Sequence, residues 1–142
     1  MKAYLDTSFL VSLYNLDANS AAAAHTMHLS RRDHLISTLC EVEVANALEL
    51  CVFRKEVTAA QARAAAGVFE KDLRDGVFRL QPLTEQAFEK ARLLSRQNTA
   101  RLGTRTADVL HVAAALDLGA DYLYTFDEQQ RKLARAVGLK LS

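Results

Sequence analysis

The sequence predicts a three-layer α/β/α domain with a central, mostly parallel sheet of four or five short strands. Two observations carry that expectation. Short apolar segments recur along the chain, and each is followed by an amphipathic helical stretch. The 142 residues hold only 5 Gly and 1 Pro, with half of all residues hydrophobic and a quarter charged, so residues 1–142 read as one globular unit without linker or low-complexity segment.

Lys2 to Leu5 reads as the first strand, ending at Asp6, with Thr7 or Ser8 as the cap of a helix carrying Phe9, Leu10, Leu13 and Tyr14. Ala21 to Arg31 is Ala-rich and helical. His34 to Thr38 gives a second strand. Glu43 to Arg54 places Val44, Ala47, Leu48, Cys51 and Val52 at helical spacing. Thr58 with Gln61 forms a capping box that opens a helix towards Asp75, and Gly76 stops it. Val77 to Leu80 reads as a third strand, and Thr84 caps a helix from Glu85 to about Gln97. Thr104 or Thr106 opens a helix through Leu118, ended by Gly119. Tyr122 to Thr125 is a fourth strand, Asp127 with Gln130 caps a last helix to Val137, and Leu139 to Leu141 is a short final strand.

Composition excludes several classes. Lys and Arg number 18 against 17 Asp and Glu, a net charge of +1, so the chain is neither a polycation nor an acidic tail. No apolar run approaches the roughly 20 residues of a membrane helix, so no membrane partner is expected. The N-terminus reaches Asp6 too soon for the apolar core of a signal peptide. Cys40 and Cys51, the only cysteines, form no CxxC motif and fit a reducing compartment, which gives a cytoplasmic expectation.

In a parallel α/β fold ligands gather at the carboxyl ends of the strands, so residues just after a strand are searched first. Asp6 and Asp127 both stand there. Each also has a plain structural reading as a helix cap, although Thr7 and Ser8 would cap as well as Asp6. Asp108 opens a helix that is apolar almost all round, where it gains from the helix dipole, yet burying a carboxylate without donors or a cation is costly. Glu43 sits at the edge of an apolar stripe, with Glu41 as competitor for any role it has. Several close carboxylates stay ionised together only around a cation. A hard ion such as Mg²⁺ or Mn²⁺ takes such oxygen ligands, activates water and offsets charge on a phosphodiester. No GxSxG, Cys–His pair or Gly-rich phosphate loop competes. Lys90, Arg92, Arg96, Arg101 and Arg105 form an acid-free basic stretch leading to Asp108, readable as a phosphate-binding rim or as a solvated helix face. His25 and His28 lack nearby carboxylates and read as ordinary histidines. His111, one turn after Asp108, reads as packing or as support for the site rather than as a ligand.

Four segments then resemble, in order, the acidic blocks of PIN domains: Tyr4-Leu5-Asp6-Thr7-Ser8, Glu43-Val44-Ala45-Asn46-Ala47-Leu48, Ala107-Asp108-Val109-Leu110-His111 and Thr125-Phe126-Asp127. The resemblance spans essentially the whole chain, and its size and compact ending are similar to VapC-type toxins of toxin–antitoxin pairs. It implies an endoribonuclease dependent on Mg²⁺ or Mn²⁺. Asp6 and Asp108 would be the main metal ligands, Glu43 would bind metal or orient its water, and Asp127 would complete the cluster. Thr7, Ser8 and Thr125 would support the carboxylates, with Arg105 and then Arg131 contacting an RNA substrate. A cognate antitoxin and a homodimer are implied by the resemblance alone. Three other readings stay open at this point. They are a PIN-like nuclease of RNA or DNA processing without antitoxin, a catalytically silent RNA- or protein-binding module, and a phosphatase of the haloacid-dehalogenase type. The last expects a second Asp two residues after the first, where Ser8 stands. Setting the four acids aside leaves the remaining surface basic, so the near-neutral total does not oppose a nucleic-acid substrate.

Overall fold

The computed structural model describes residues 1–142. Five strands, β1 (Lys2–Leu5), β2 (Asp33–Ser37), β3 (Arg79–Gln81), β4 (Tyr122–Tyr124) and β5 (Lys140–Leu141), form one sheet in the order β3-β2-β1-β4-β5, with every neighbouring pair parallel. Seven helices connect them: α1 (Thr7–Tyr14), α2 (Ser20–Leu29), α3 (Thr38–Phe53), α4 (Ala59–Arg74), α5 (Glu85–Leu102), α6 (Thr106–Asp117) and α7 (Glu128–Ala136). This is the expected α/β class with a parallel sheet flanked by helices.

The central strand shows why the sheet forms here. Ala3, Tyr4 and Leu5 of β1 are all fully buried, because helices cover both faces and leave no polar alternation to satisfy. Ala3 pairs with His34 on one side and Tyr122 on the other. The chain moves outward from β1 to β2 and β3, then returns to the far side of β1 for β4 and β5. Right-handed crossovers send the helices of the two halves to opposite faces. Accordingly α1 to α4 pack among themselves, and α5 to α7 form a second group. A core of 26 buried residues joins both groups through the sheet, with Leu10, Ile36, Leu123 and Leu133 among its fully buried members. No helix is long and apolar enough to cross a membrane.

Several element ends differ from the sequence expectation. The cap of α1 is Asp6 itself, accepting from the Phe9 amide, rather than Thr7 or Ser8. Helix α3 starts at Thr38, five residues before Glu43, because β2 turns directly into it at Ser37. Helix α5 runs past Gln97 to Leu102, since nothing stops it before Gly103, which takes the left-handed conformation at φ 68°. Helix α6 begins at Thr106, one of the two expected starts, and its cap is Arg105, whose amide donates to Asp108 three residues on. The capping box read at Thr58–Gln61 and the cap read at Asp127 appear as expected, with Thr58 Oγ1 accepting from the Gln61 amide and Asp127 Oδ1 from the Gln130 amide.

Candidate active site

The direction of travel across the sheet reverses between β1 and β4, so the helices that follow these neighbouring strands diverge and leave a crevice at their carboxyl ends. The N-termini of α1, α6 and α7, at Asp6, Arg105 and Asp127, meet at this edge, with the positive ends of their dipoles towards the crevice. The structure brings Asp6, Glu43, Asp108 and Asp127 to the lining of one cleft of about 760 Å³ there. Asp6 follows β1, Glu43 lies near the start of α3, Asp108 is in the first turn of α6, and Asp127 caps α7.

Asp6 is fully buried and is held from every side. Its Oδ1 accepts from the Phe9 amide at 2.9 Å, and Oδ2 from the Thr125 hydroxyl at 2.7 Å. Ser8 Oγ spans both oxygens at 2.8 and 2.9 Å. Thr125 Oγ1 also accepts from the Asp127 amide at 3.0 Å, so one hydroxyl ties the acid after β1 to the acid after β4. Burial pushes the Asp6 carboxyl up from its ordinary value, although the His111 charge and these hydrogen bonds oppose the push.

Glu43 is half-buried and accepts from Thr7 Oγ1 at 2.8 Å and from His111 Nε2. Burial would raise its pKa, but the His111 hydrogen bond and charge, with Thr7, hold it below the usual value. His111 is itself 1 % exposed, and its Nδ1 meets the Tyr4 hydroxyl at 3.0 Å. Burial works against its imidazolium. The Cys40 thiol and the Glu43 and Asp6 carboxylates outweigh burial and hold His111 up at about 10. Tyr4 is pushed well above its ordinary value by burial and by Cys40, so its phenol stays protonated.

Asp108 is buried, and its Oδ2 accepts from the Arg105 amide at 3.0 Å and faces Arg105 Nε at 3.4 Å. The same guanidinium reaches Asp127 Oδ2 at 3.5 Å, so Arg105 lies across two of the acids at the cleft lip with a largely exposed side chain. Arg131 does not line the cleft; it turns back to the Thr125 carbonyl at 3.2 Å and to Glu128 at 3.6 Å. Among the basic residues of α5 and its C-terminal loop, only Arg105 reaches the lining. Glu41 lies on another face, against Glu70 and Arg74 of α4, whereas Glu43 faces the acids.

The donor set fits a hard divalent cation. It offers carboxylate oxygens, one of them forced up in pKa by burial, which is the condition a nearby cation relieves. As the side chains stand, no three acidic, histidine or cysteine groups close into a complete ligand set.

The family model described as PIN domain matches residues 3–136. The chain belongs to the PIN domain family. Solved structures with the same fold include Mycobacterium tuberculosis VapC20, described as a sarcin-ricin loop cleaving toxin, at 23 % identity and TM-score 0.68, covering 94 % of each chain. VapBC2 from Rickettsia felis, bound to a DNA fragment from its promoter, aligns at 17 % identity and TM-score 0.69, covering 100 % of this chain and 98 % of that one. FitAcB from Neisseria gonorrhoeae aligns at 17 % identity and TM-score 0.67, covering 98 % and 95 %. No curated protein sequence matches the chain.

This PIN domain carries cleft residues that the sequence reading did not single out. Arg54, at the end of α3, lines the cleft as Arg105 does, together with Ser12, Asp17 and Asn19. A signal for Arg54 existed: it lies eleven residues after Glu43 and seven after Ala47, which are whole numbers of helical turns to within about 20°, and all three line the cleft. Tyr4 gave no such signal, because within a buried strand it reads as core.

Proposed function

We propose that this PIN domain is a divalent-metal-dependent endoribonuclease that hydrolyses RNA phosphodiester bonds, and that it is the toxin of a toxin–antitoxin pair. The observation that carries the reading is the convergence of Asp6, Glu43, Asp108 and Asp127 on one cleft at the switch between β1 and β4. Asp6 and Asp108 would be the principal ligands of Mg²⁺ or Mn²⁺, with Glu43 and Asp127 completing the site directly or through water. When bound, the metal supplies an activated water and offsets charge on the phosphodiester.

The chain's own residues do the rest. Ser8, Thr125 and the Phe9 amide fix the Asp6 carboxylate, so neither oxygen spends orientational freedom on binding. Thr7 fixes Glu43 in the same way. Arg105, standing at the lip with its head group largely in solvent, is placed to turn onto a substrate phosphate. Arg131 acts by bracing the Thr125 carbonyl rather than by touching substrate. An antitoxin partner and a homodimeric, cytoplasmic protein accompany this reading, and the likeness in fold to a structure described as a toxin–antitoxin complex from Klebsiella pneumoniae supports the antitoxin.

RNA cleavage in Mn²⁺, with and without chelator, tests the proposal. Wild type should cleave only without chelator, while Asp6→Asn and Asp108→Asn should cleave at background. Equal cleavage by the two variants would refute it. Growth arrest on expression, relieved by a small protein encoded beside the gene, is the expected sign of the toxin role.

A further inference from the structure

Beneath the acids lies a polar chain that four-carboxylate chemistry alone does not need. Ser37, Tyr4 and His111 are each at most 1 % exposed, yet all three are polar. Ser37 Oγ meets Tyr4 OH at 2.7 Å, Tyr4 OH meets His111 Nδ1 at 3.0 Å, and His111 Nε2 bonds Glu43. A carboxylate only accepts, so the Glu43 end requires a hydrogen on Nε2 whatever the rest of the imidazole does. The three residues come from the end of β2, the middle of β1 and the second turn of α6. Burying three polar groups in this way is costly unless each is satisfied, and here they satisfy one another, with Cys40 Sγ beside Tyr4 OH at 3.5 Å and Thr7 Oγ1 beside His111 Nε2 at 3.4 Å. Glu43 and the edge of the buried His111 both line the cleft, so the chain opens to the site at this end, while Tyr4 and Ser37 stay behind it.

We propose that His111, pinned by Tyr4 and Ser37, is a positioning residue that fixes the Glu43 carboxylate for metal or metal-water binding. The proposal rests on the functional reading above for the role of Glu43. A glutamate has three side-chain torsions, and on an exposed helix face it samples many rotamers. Two donors on one oxygen, Thr7 at 2.8 Å from the α1 side and His111 from the α6 side, leave the other oxygen free and aimed by default. This is the arrangement by which residues that never touch a metal set its affinity.

The test uses the purified full-length chain and two readouts. Mn²⁺ affinity is measured by titration calorimetry without RNA, and RNA cleavage gives kcat and KM separately. His111→Leu should weaken Mn²⁺ binding about 10–100-fold and lower kcat while leaving the RNA KM near wild type. His111→Gln, which returns an N–H donor to the position, should recover part of both losses. Tyr4→Phe keeps the ring in the core and removes only the hydroxyl, so it should fold normally and fall between wild type and His111→Leu. A folded His111→Leu with Mn²⁺ affinity and kcat within about two-fold of wild type would overturn the proposal. So would a His111→Gln no better than His111→Leu, since that outcome assigns the histidine to packing. Glu43→Gln with unchanged Mn²⁺ affinity would overturn it as well, leaving Asp6 and Asp108 as the metal site. A wild type that binds Mn²⁺ with the predicted variant order, yet cleaves no RNA, would refute the nuclease reading and support the positioning role.

Discussion

Thr125→Val is the most informative single change to the site, because it is nearly isosteric and removes one hydroxyl that serves two acids. Thr125 is fully buried, donates to Asp6 Oδ2 at 2.7 Å and accepts from the Asp127 amide at 3.0 Å. Valine leaves the shape and removes both bonds. A hydrogen bond to a charged group contributes about 1.5–3 kcal/mol, and a buried amide left without an acceptor costs about 1–3 kcal/mol. Ser8 Oγ, 3.2 Å from Thr125 Oγ1, still serves Asp6, so the lower part of the combined range applies, and the expected loss is about 2.5–4 kcal/mol. An unfolding entropy near 2.1 cal/mol/K per residue makes each kcal/mol worth roughly 3 °C in a chain of this length. Thermal unfolding followed by circular dichroism should therefore show Tm falling by about 8–12 °C. Cleavage in Mn²⁺ should fall about 10–100-fold as the Asp6 carboxylate loosens. Thr125→Ser, which keeps the hydroxyl, should stay close to wild type in both. A valine variant that melts and cleaves like wild type would show that Thr125 does not organise the two acids.

Three other outcomes follow from the same geometry. Arg54→Ala should raise the RNA KM while leaving kcat nearly unchanged, and should reduce the slope of log affinity against log salt by about 1, as for one lost phosphate contact. His34 is pulled below its ordinary value by burial and by the Arg32 charge, so below about pH 6.5 the unfolded chain binds the proton that the folded chain refuses. Stability should accordingly fall as pH drops below that point, and His34→Gln should flatten this part of the urea-midpoint profile. Thr58→Ala removes the acceptor of the Gln61 amide at 3.1 Å and should cost about 1 kcal/mol in urea denaturation without touching cleavage.

How much of this was legible beforehand depends on the range of the interaction. The helix ends at Thr58 and Asp127 were readable because a cap is settled within four residues. The start of α3 was not, because Ser37 passes from strand to helix with no punctuating glycine or proline. Asp6 as the cap of α1 was obscured by two neighbouring hydroxyl residues. Those residues turn out to serve the acids instead, Ser8 on Asp6 and Thr7 on Glu43.

The sequence by itself determined the class of the fold and marked Asp6 and Asp127, since both follow from local periodicity and from the rule that ligands collect after parallel strands, whereas Glu43 and Asp108 joined them through the resemblance to PIN domains. Only the tertiary structure decided which neighbours complete the site. Glu41 and Glu43 are equivalent in local chemistry, yet two residues along a helix turn the side chain about 200°. Which of them meets the acids is fixed by how α3 docks on α1. The same holds for Arg131 facing away, Arg54 facing in, and His111 reaching Glu43 across 68 residues of chain. Contacts at that separation are set by the packing of whole elements, and no short window of sequence contains them.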